Sequence, residues 1–390
     1  MQKTLLISVA LSTLLLHATD STTLEKRVEK LEKALNAQHQ NKLEQALNKS
    51  NSFNQKSFIP DISLILNTSA VSRNIKNSDY EGYGIDGFVE NTDEIPFNKN
   101  RGFNLNYAEF GMHSVVGPYF DADAVFHLHP DAFEIEEAYI TSKKLPANLQ
   151  LKLGQFRSDF GRINSIHQHA QHFESQPLVY EAMLGVEGIK DAGVSLHWNV
   201  PTDNYLMVGA EALQGSNELS FGDKESNNLY VGYLKSGFDL TDRSTVLAGI
   251  SIARGKTENH QDSTLYGADL TLKSILDSYS SLTWQSEYLY RDRADQKQAG
   301  LYSQLIYGVN SNWELGGRYD AITKNVKDSA DNLKKYSAIV QYKPFEFTKI
   351  RLQYSKDQSK TFAHGIGRKD ENYLGLEIMV ETGAHGAHAF

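Results

Sequence analysis

The chain has 390 residues, with no cysteine and only 8 prolines but 28 glycines, 20 tyrosines and 18 phenylalanines. A formal net charge of −9 argues against nucleic acid as a partner, and the missing cysteines exclude disulfides and zinc–thiolate centres. At 40% hydrophobic residues and a mean hydropathy of −0.46 the chain is no bundle of membrane-spanning helices, whereas a barrel with one apolar and one polar face has this composition.

Residues 1–18 read as a secretory signal peptide. Lys3 carries the positive charge, Leu5 to Leu16 form the short apolar run, and Ala18 is the small residue at the cut. Residues 19–57 follow as a periplasmic coiled-coil leader and linker. In Leu24-Glu-Lys-Arg-Val28-Glu-Lys-Leu31-Glu-Lys-Ala-Leu35 apolar residues return every three to four positions, which predicts a short helix of coiled-coil type. So short a helix is marginal alone; it suits a homotrimer, a periplasmic spacer or a tether to the cell wall.

From residue 58 to 390 the helical period gives way to a period of two. Ile62, Leu64 and Leu66 alternate with Ser63 and Asn67, a first strand. After a polar stretch at 74–100, Phe103 to Val116 reads as the second strand and Gly117-Pro118 as a tight turn. In the third strand Phe120, Ala122, Ala124, Phe126 and Leu128 lie on one face and Asp121, Asp123, His127 and His129 on the other. The same division recurs where Leu282, Trp284, Tyr288 and Tyr290 oppose Thr283, Gln285 and Glu287, and where Ile350, Leu352 and Tyr354 oppose Arg351 and Gln353. Lipid on one side and water on the other explain such a split.

Connections alternate short and long, except near His129-Pro130-Asp131, where a short link stands in place of a long one. Short ones centre on Gly117-Pro118, Lys144 to Asn148, Asn199 to Asn204, Leu240 to Arg243, Asn310 to Asn312 and Lys343-Pro344; long ones lie near 74–100, 158–180, 214–227, 254–263, 291–298, 323–333 and 357–370. The fold class predicted is all-β: a transmembrane antiparallel barrel of about sixteen strands in the bacterial outer membrane, with both ends on the periplasmic side. Its partners would be outer-membrane lipid, small solutes and the barrel-assembly machinery, which would read the C-terminal aromatic Phe390, where the chain resembles many bacterial outer-membrane barrels.

On this register 158–180 is the third external loop, placed to narrow the pore. Asp121, Asp123, Lys152, Arg157 and Arg162 are the candidate pore-lining charges. His127 and His129 end the third strand at its external edge, beside a loop holding His167, His169 and His172. Imidazole is a good ligand for zinc and its neighbours, so these five histidines are the candidate metal ligands, with Asp121 or Asp123 in support and zinc as the one cofactor they imply. The competing reading is a polar constriction loop that binds nothing. Ser165 and His167 adjoin but make no catalytic motif, so no enzyme is predicted.

The leader Leu24 to Leu35, the segment Leu151-Lys-Leu-Gly-Gln-Phe-Arg-Ser-Asp-Phe-Gly161 and Gln176-Pro177-Leu178 resemble porins of the phosphate-selective O and P type. A closer resemblance is to porin-like barrels labelled zinc-regulated TonB-dependent outer-membrane receptors. It is carried by His127-Leu-His129-Pro130, Phe133 to Tyr139, Gly154-Gln-Phe-Arg-Ser-Asp-Phe-Gly-Arg-Ile-Asn164, the histidine run Ser165 to Phe173 and the tail Gly383 to Phe390. The stretch between Ala18 and Ile62 has no room for the plug that energy-coupled uptake requires. The resemblance therefore implies an outer-membrane barrel with a link to transition metals. The expected activity is passive diffusion of small hydrophilic or ionic solutes; the alternatives are a metal-binding receptor and a structural barrel tethered to the cell wall.

Overall fold

The computed structural model describes residues 60–383, except 91, 93, 94, 96, 131, 226–228, 295, 328–331 and 363–365. The expected signal peptide and coiled-coil leader, and Phe390, lie outside the described residues. In chain order the strands are β1 (Asp61–Arg73), β2 (Gly84–Ile85), β3 (Gly102–Val116), β4 (Phe120–Leu128), β5 (Phe133–Ser142), β6 (Leu149–Arg157), β7 (Lys190–Asn199), β8 (Tyr205–Leu213), β9 (Leu229–Thr241) and β10 (Ser244–Lys256). They continue with β11 (Asp262–Ile275), β12 (Ser281–Arg293), β13 (Gln296–Gly308), β14 (Trp313–Thr323), β15 (Leu333–Phe345), β16 (Thr348–Asp357), β17 (Lys360–Phe362), β18 (Gly367–Arg368) and β19 (Glu371–Gly383). Sixteen of them close into one antiparallel barrel, β1 pairing with β3 on one side and β19 on the other, while β2, β17 and β18 make a small separate sheet. Among the described residues two short α-helices, α1 (Asn77–Tyr80) and α2 (Leu178–Met183), lie in the first and third long connections.

The alternation seen in the sequence sets which side of the wall each residue faces. On β19, Leu374, Leu376, Ile378 and Val380 are exposed while Gly375, Glu377 and Met379 between them are buried. On β12, Trp284 and Tyr288 face out, and Gln285, Glu287 and Arg291 face in. Apolar outside and ionic inside inverts a water-soluble sheet, and an apolar belt around the whole ring needs lipid against it. Aromatic side chains pair in tilted contacts outside near both ends of the strands, Trp313 with Tyr342 at 4.5 Å and Tyr319 with Tyr336 at 5.3 Å between ring centres.

Several connections differ from the expected ones. The strands flanking two connections expected to be long stay paired almost to the link, β10 and β11 to Lys256↔Asp262 and β12 and β13 to Arg293↔Gln296. Charged residues at those strand tips break the apolar alternation without breaking the ladder. The turn expected at Lys343-Pro344 falls at 346–347, since Pro344 sits in a pairing irregularity between Tyr342 and Phe345. The third long connection runs on to 189, through α2, before β7 begins.

The ladders of β3 and β5 each carry a β-bulge. Asn106 is an extra residue in β3, unpaired between Tyr107↔Asn67 and Leu105↔Thr68. Glu136 is an extra residue in β5, between Val125↔Glu137 and Phe126↔Ile135. A bulge turns consecutive side chains to one face, and here Glu136 and Glu137 are both buried, as are Asn106 and Tyr107.

Candidate functional site

The long loop 158–189 leaves and re-enters the wall through a narrow neck. Ser158 N–H donates to the Ile189 carbonyl at 2.9 Å. Asn164 completes the neck: its Nδ2 donates to the carbonyls of Ser158 and Ile189 at 2.8 and 2.9 Å, and its Oδ1 accepts from Ile189 N–H at 2.7 Å. From there the loop crosses the inside of the barrel and is fixed to the wall at successive points, from the neighbouring β8 to the distant β14 and β16. Ser158 Oγ donates to Glu211 on β8 at 2.5 Å and Gly161 N–H to Ser251 on β10 at 2.9 Å. The Arg318 guanidinium on β14 donates to the Ser175 and Gln176 carbonyls at 2.9 and 3.0 Å, and Arg351 on β16 to the Gln171 carbonyl at 2.8 Å.

Close approach to the wall fixes two glycines. Gly161 has φ +63°, and a Cβ there would run into Glu287 Oε1 and Tyr180 Oη. At Gly300 on β13 a Cβ would stand 2.7 Å from Val179 Cγ2 of α2. All six residues of α2 are buried, and its first amide donates to Asp320 of β14 at 3.0 Å, so a wall carboxylate caps it. Phe156, Phe160, Leu178, Tyr180 and Met183 then join Tyr83 and Ile85 of the first connection in an apolar cluster. Membrane barrels enclose polar surface, so an apolar core inside one marks the loop as packed in place.

Where the loop meets β3, β4 and β5, three imidazoles converge on one carboxylate oxygen. Glu109 Oε2 lies 3.0 Å from His127 Nε2, 3.1 Å from His169 Nδ1 and 3.7 Å from His167 Nδ1. Glu109 and His127 are direct cross-strand partners, and Tyr107 stacks on the His127 ring at 4.8 Å. Behind them His167 Nε2 meets Glu137 Oε2 at 2.7 Å and His127 Nδ1 faces Glu136 Oε2 at 3.9 Å. Glu136 is held by the Arg157 guanidinium, Nε to Oε1 at 2.7 Å, and by Lys190 Nζ at 2.8 Å. Burial disfavours the charged form of His167, but its bonds to Glu109 and Glu137 outweigh this and carry its pKa up to about 10. Burial prevails at His169 and lowers its pKa. A second carboxylate trio, Glu134, Glu136 and Glu187, encloses the Lys190 ammonium.

The structure thus brings His127, His167 and His169 together. His129 stands edge-on to His127 at 5.9 Å, with its Nδ1 on the Asn106 carbonyl at 2.9 Å. His172 stands apart, 3.7 Å from Glu314 across the interior. Asp121 pairs with Lys143 at 2.5 Å and Asp123 with His113 at 2.7 Å, so neither supports the histidines. Among the residues expected to line the pore, Arg157 is buried behind the loop on Glu136, and Lys152 lies over the Tyr139 ring at 4.8 Å. Arg162 borders a cavity of about 550 Å³ beneath the loop, together with Lys273, Arg318, Lys343, Lys349 and Glu314. Glu109, Glu136 and Glu137 were not among the residues singled out from the sequence. The tight turn at Gly117-Pro118 carried the signal for Glu109, because that turn sets the register that puts it opposite His127. Nothing in the alternation announces a bulge at Glu136.

No family model matches the chain. In three dimensions it is similar to an anion-selective porin from Comamonas acidovorans (TM-score 0.56, 10% identity, covering 83% of this chain and 99% of that one). It is also similar to OmpT, an outer membrane protein of Vibrio cholerae in its trimer form (TM-score 0.54, 11% identity, 83% and 99%). A third such structure is the outer membrane channel DcaP of Acinetobacter baumannii (TM-score 0.53, 12% identity, 83% and 97%). These likenesses carry the fold, a porin-like barrel. In sequence it is 39% identical over 391 residues to an uncharacterized protein of Aquifex aeolicus (strain VF5), covering 87% of this chain and 81% of that one. With that share of both sequences in common, the chain belongs to the family of the Aquifex aeolicus protein.

Proposed function

We propose that the barrel is an outer-membrane channel through which small hydrophilic solutes diffuse passively, anions ahead of cations, with the loop 158–189 setting size and charge preference. The long-loop end faces outward from the cell. The cavity beneath the loop carries this reading: five basic side chains, Arg162, Lys273, Arg318, Lys343 and Lys349, border it against the single carboxylate Glu314. Asp320 and Glu381 pair with Arg318 and Lys349, at 3.0 and 3.3 Å, and still leave the balance positive. A ring of one sign in a low-dielectric wall favours counter-ions by field rather than by fit. The names of the similar structures, an outer membrane channel and an anion-selective porin, agree with it, and the trimer form of OmpT supports a homotrimer here.

Planar-bilayer recording of the refolded protein tests the reading. Discrete conductance steps are expected, with a reversal potential under a KCl gradient that reports chloride over potassium. Arg162→Ala with Lys273→Ala should move that potential toward the cation side. Folded protein that passes no current, or that prefers potassium, would overturn it.

A further inference from the structure

The cluster on Glu109 has a geometry that hydrogen bonding alone does not require. Each of two imidazoles turns one nitrogen to the centre and the other to a separate carboxylate: His127 offers Nε2 inward and Nδ1 toward Glu136, and His167 offers Nδ1 inward and Nε2 to Glu137. Histidines that ligate metal almost always give their second nitrogen to such a partner, which fixes the tautomer and raises the basicity of the ligating nitrogen.

The spacing fits as well. One ligand atom from each of Glu109, His127 and His167 lies within 4.8 Å of the other two. Ligand atoms around a tetrahedral zinc ion with bonds of about 2.0–2.2 Å stand roughly 3.3–3.5 Å apart. The observed Glu109 to His127 and Glu109 to His167 separations, 3.0 and 3.7 Å, bracket that value. All three side chains are more than nine-tenths buried.

We propose that Glu109, His127 and His167 form a binding site for a divalent transition-metal ion of the zinc class, with Glu137 and Glu136 orienting the two imidazoles. His169, whose Nδ1 lies 3.1 Å from the same Glu109 oxygen, steadies that carboxylate. Two nitrogen donors with one oxygen and no thiolate favour zinc, copper or nickel over calcium or magnesium. Two ligands belong to the wall and the third to the loop, so the ion ties the loop 158–189 to β3 and β4. The site stands on its own geometry, whether or not the barrel conducts.

The test is a zinc titration of the full refolded chain in detergent near neutral pH, read by calorimetry, with folding verified by the shift in gel mobility on heating. One zinc ion per chain and no response to calcium are expected. His127→Gln and His167→Gln should each abolish binding, and His172→Gln should leave it unchanged. Glu137→Gln keeps every ligand and should weaken binding about 10–100-fold, which tests the site even if a ligand variant fails to fold. Absence of zinc binding by folded wild-type protein overturns the proposal. So does zinc retained undiminished in both ligand variants, or in Glu137→Gln.

Discussion

Glu174 shows how the interior treats one carboxylate. It is fully enclosed by the loop and the wall, accepts from Asn98 Nδ2 at 2.7 Å and Tyr373 Oη at 2.9 Å, and has Glu377 nearby. Burial first, and then repulsion from Glu377, push its pKa up from 4.5 to about 7, against the opposing pull of Arg351 and these hydrogen bonds. An acid raised in the folded state binds its proton more tightly there than in the unfolded chain. Its contribution is therefore fully present below about pH 4.5 and is lost as pH rises through about 7. Protease nicking within 158–189 should accelerate over that window in wild-type protein and stay flat in Glu174→Gln; an identical pH profile in the two would refute this linkage. The Glu136 bulge obeys the same physics from the other side. A carboxylate with no exposure persists there because Arg157 and Lys190 both hold it, and a buried charge without such partners would be costly.

At the scale of elements, Asn164 makes the neck of the loop act like one more rung of the ladder between β6 and β7. Asn164→Ala leaves the Ile189 amide without its acceptor and the Ser158 carbonyl without a donor, a loss of about 1–3 kcal/mol. Faster amide exchange at Ile189 and noisier open-channel current are expected; unchanged exchange would mean that the neck is held by the rest of the loop. Strands were the legible elements. The alternation that starts at Ile62 gave about sixteen strands, against sixteen in the barrel, and placed the third long connection, because lipid imposes apolar side chains on every second position. That constraint ends where lipid ends. Strand tips such as Lys256 and Asp262 pair above the belt and read as loop. The small sheet of β2, β17 and β18 depends on contacts between distant connections that no local pattern encodes. For the site, His127, His167 and His169 were visible because histidine is rare and clustered. Glu109 and the Glu136–Glu137 pair were hidden among many acidic residues, and only register and a bulge single them out.

For the molecule as a whole, the net charge of −9 is a poor guide to the interior, since five of the six Arg, Lys, Asp or Glu residues that border the cavity beneath the loop are basic. Selectivity follows from where charges stand, and here the wall segregates them. The loop is also tied to strands that come after it in the chain, from β8 through β19, and the ring shuts between β1 and β19, where Asn67 Nδ2 bonds Glu377 Oε1 at 2.7 Å across a separation of 310 residues. Contacts so distant in sequence delay assembly, because the entropy of bringing the ends together is spent before any of them forms. During refolding into vesicles, protection of 158–189 from protease should rise in the same kinetic phase as the heat-sensitive gel mobility of the closed barrel; protection arriving earlier would show that the loop docks on an open sheet. On that expectation the species that precedes this phase is an unshut trough with an undocked loop, and it is this species, rather than the finished barrel, on which chaperones and quality-control proteases would act.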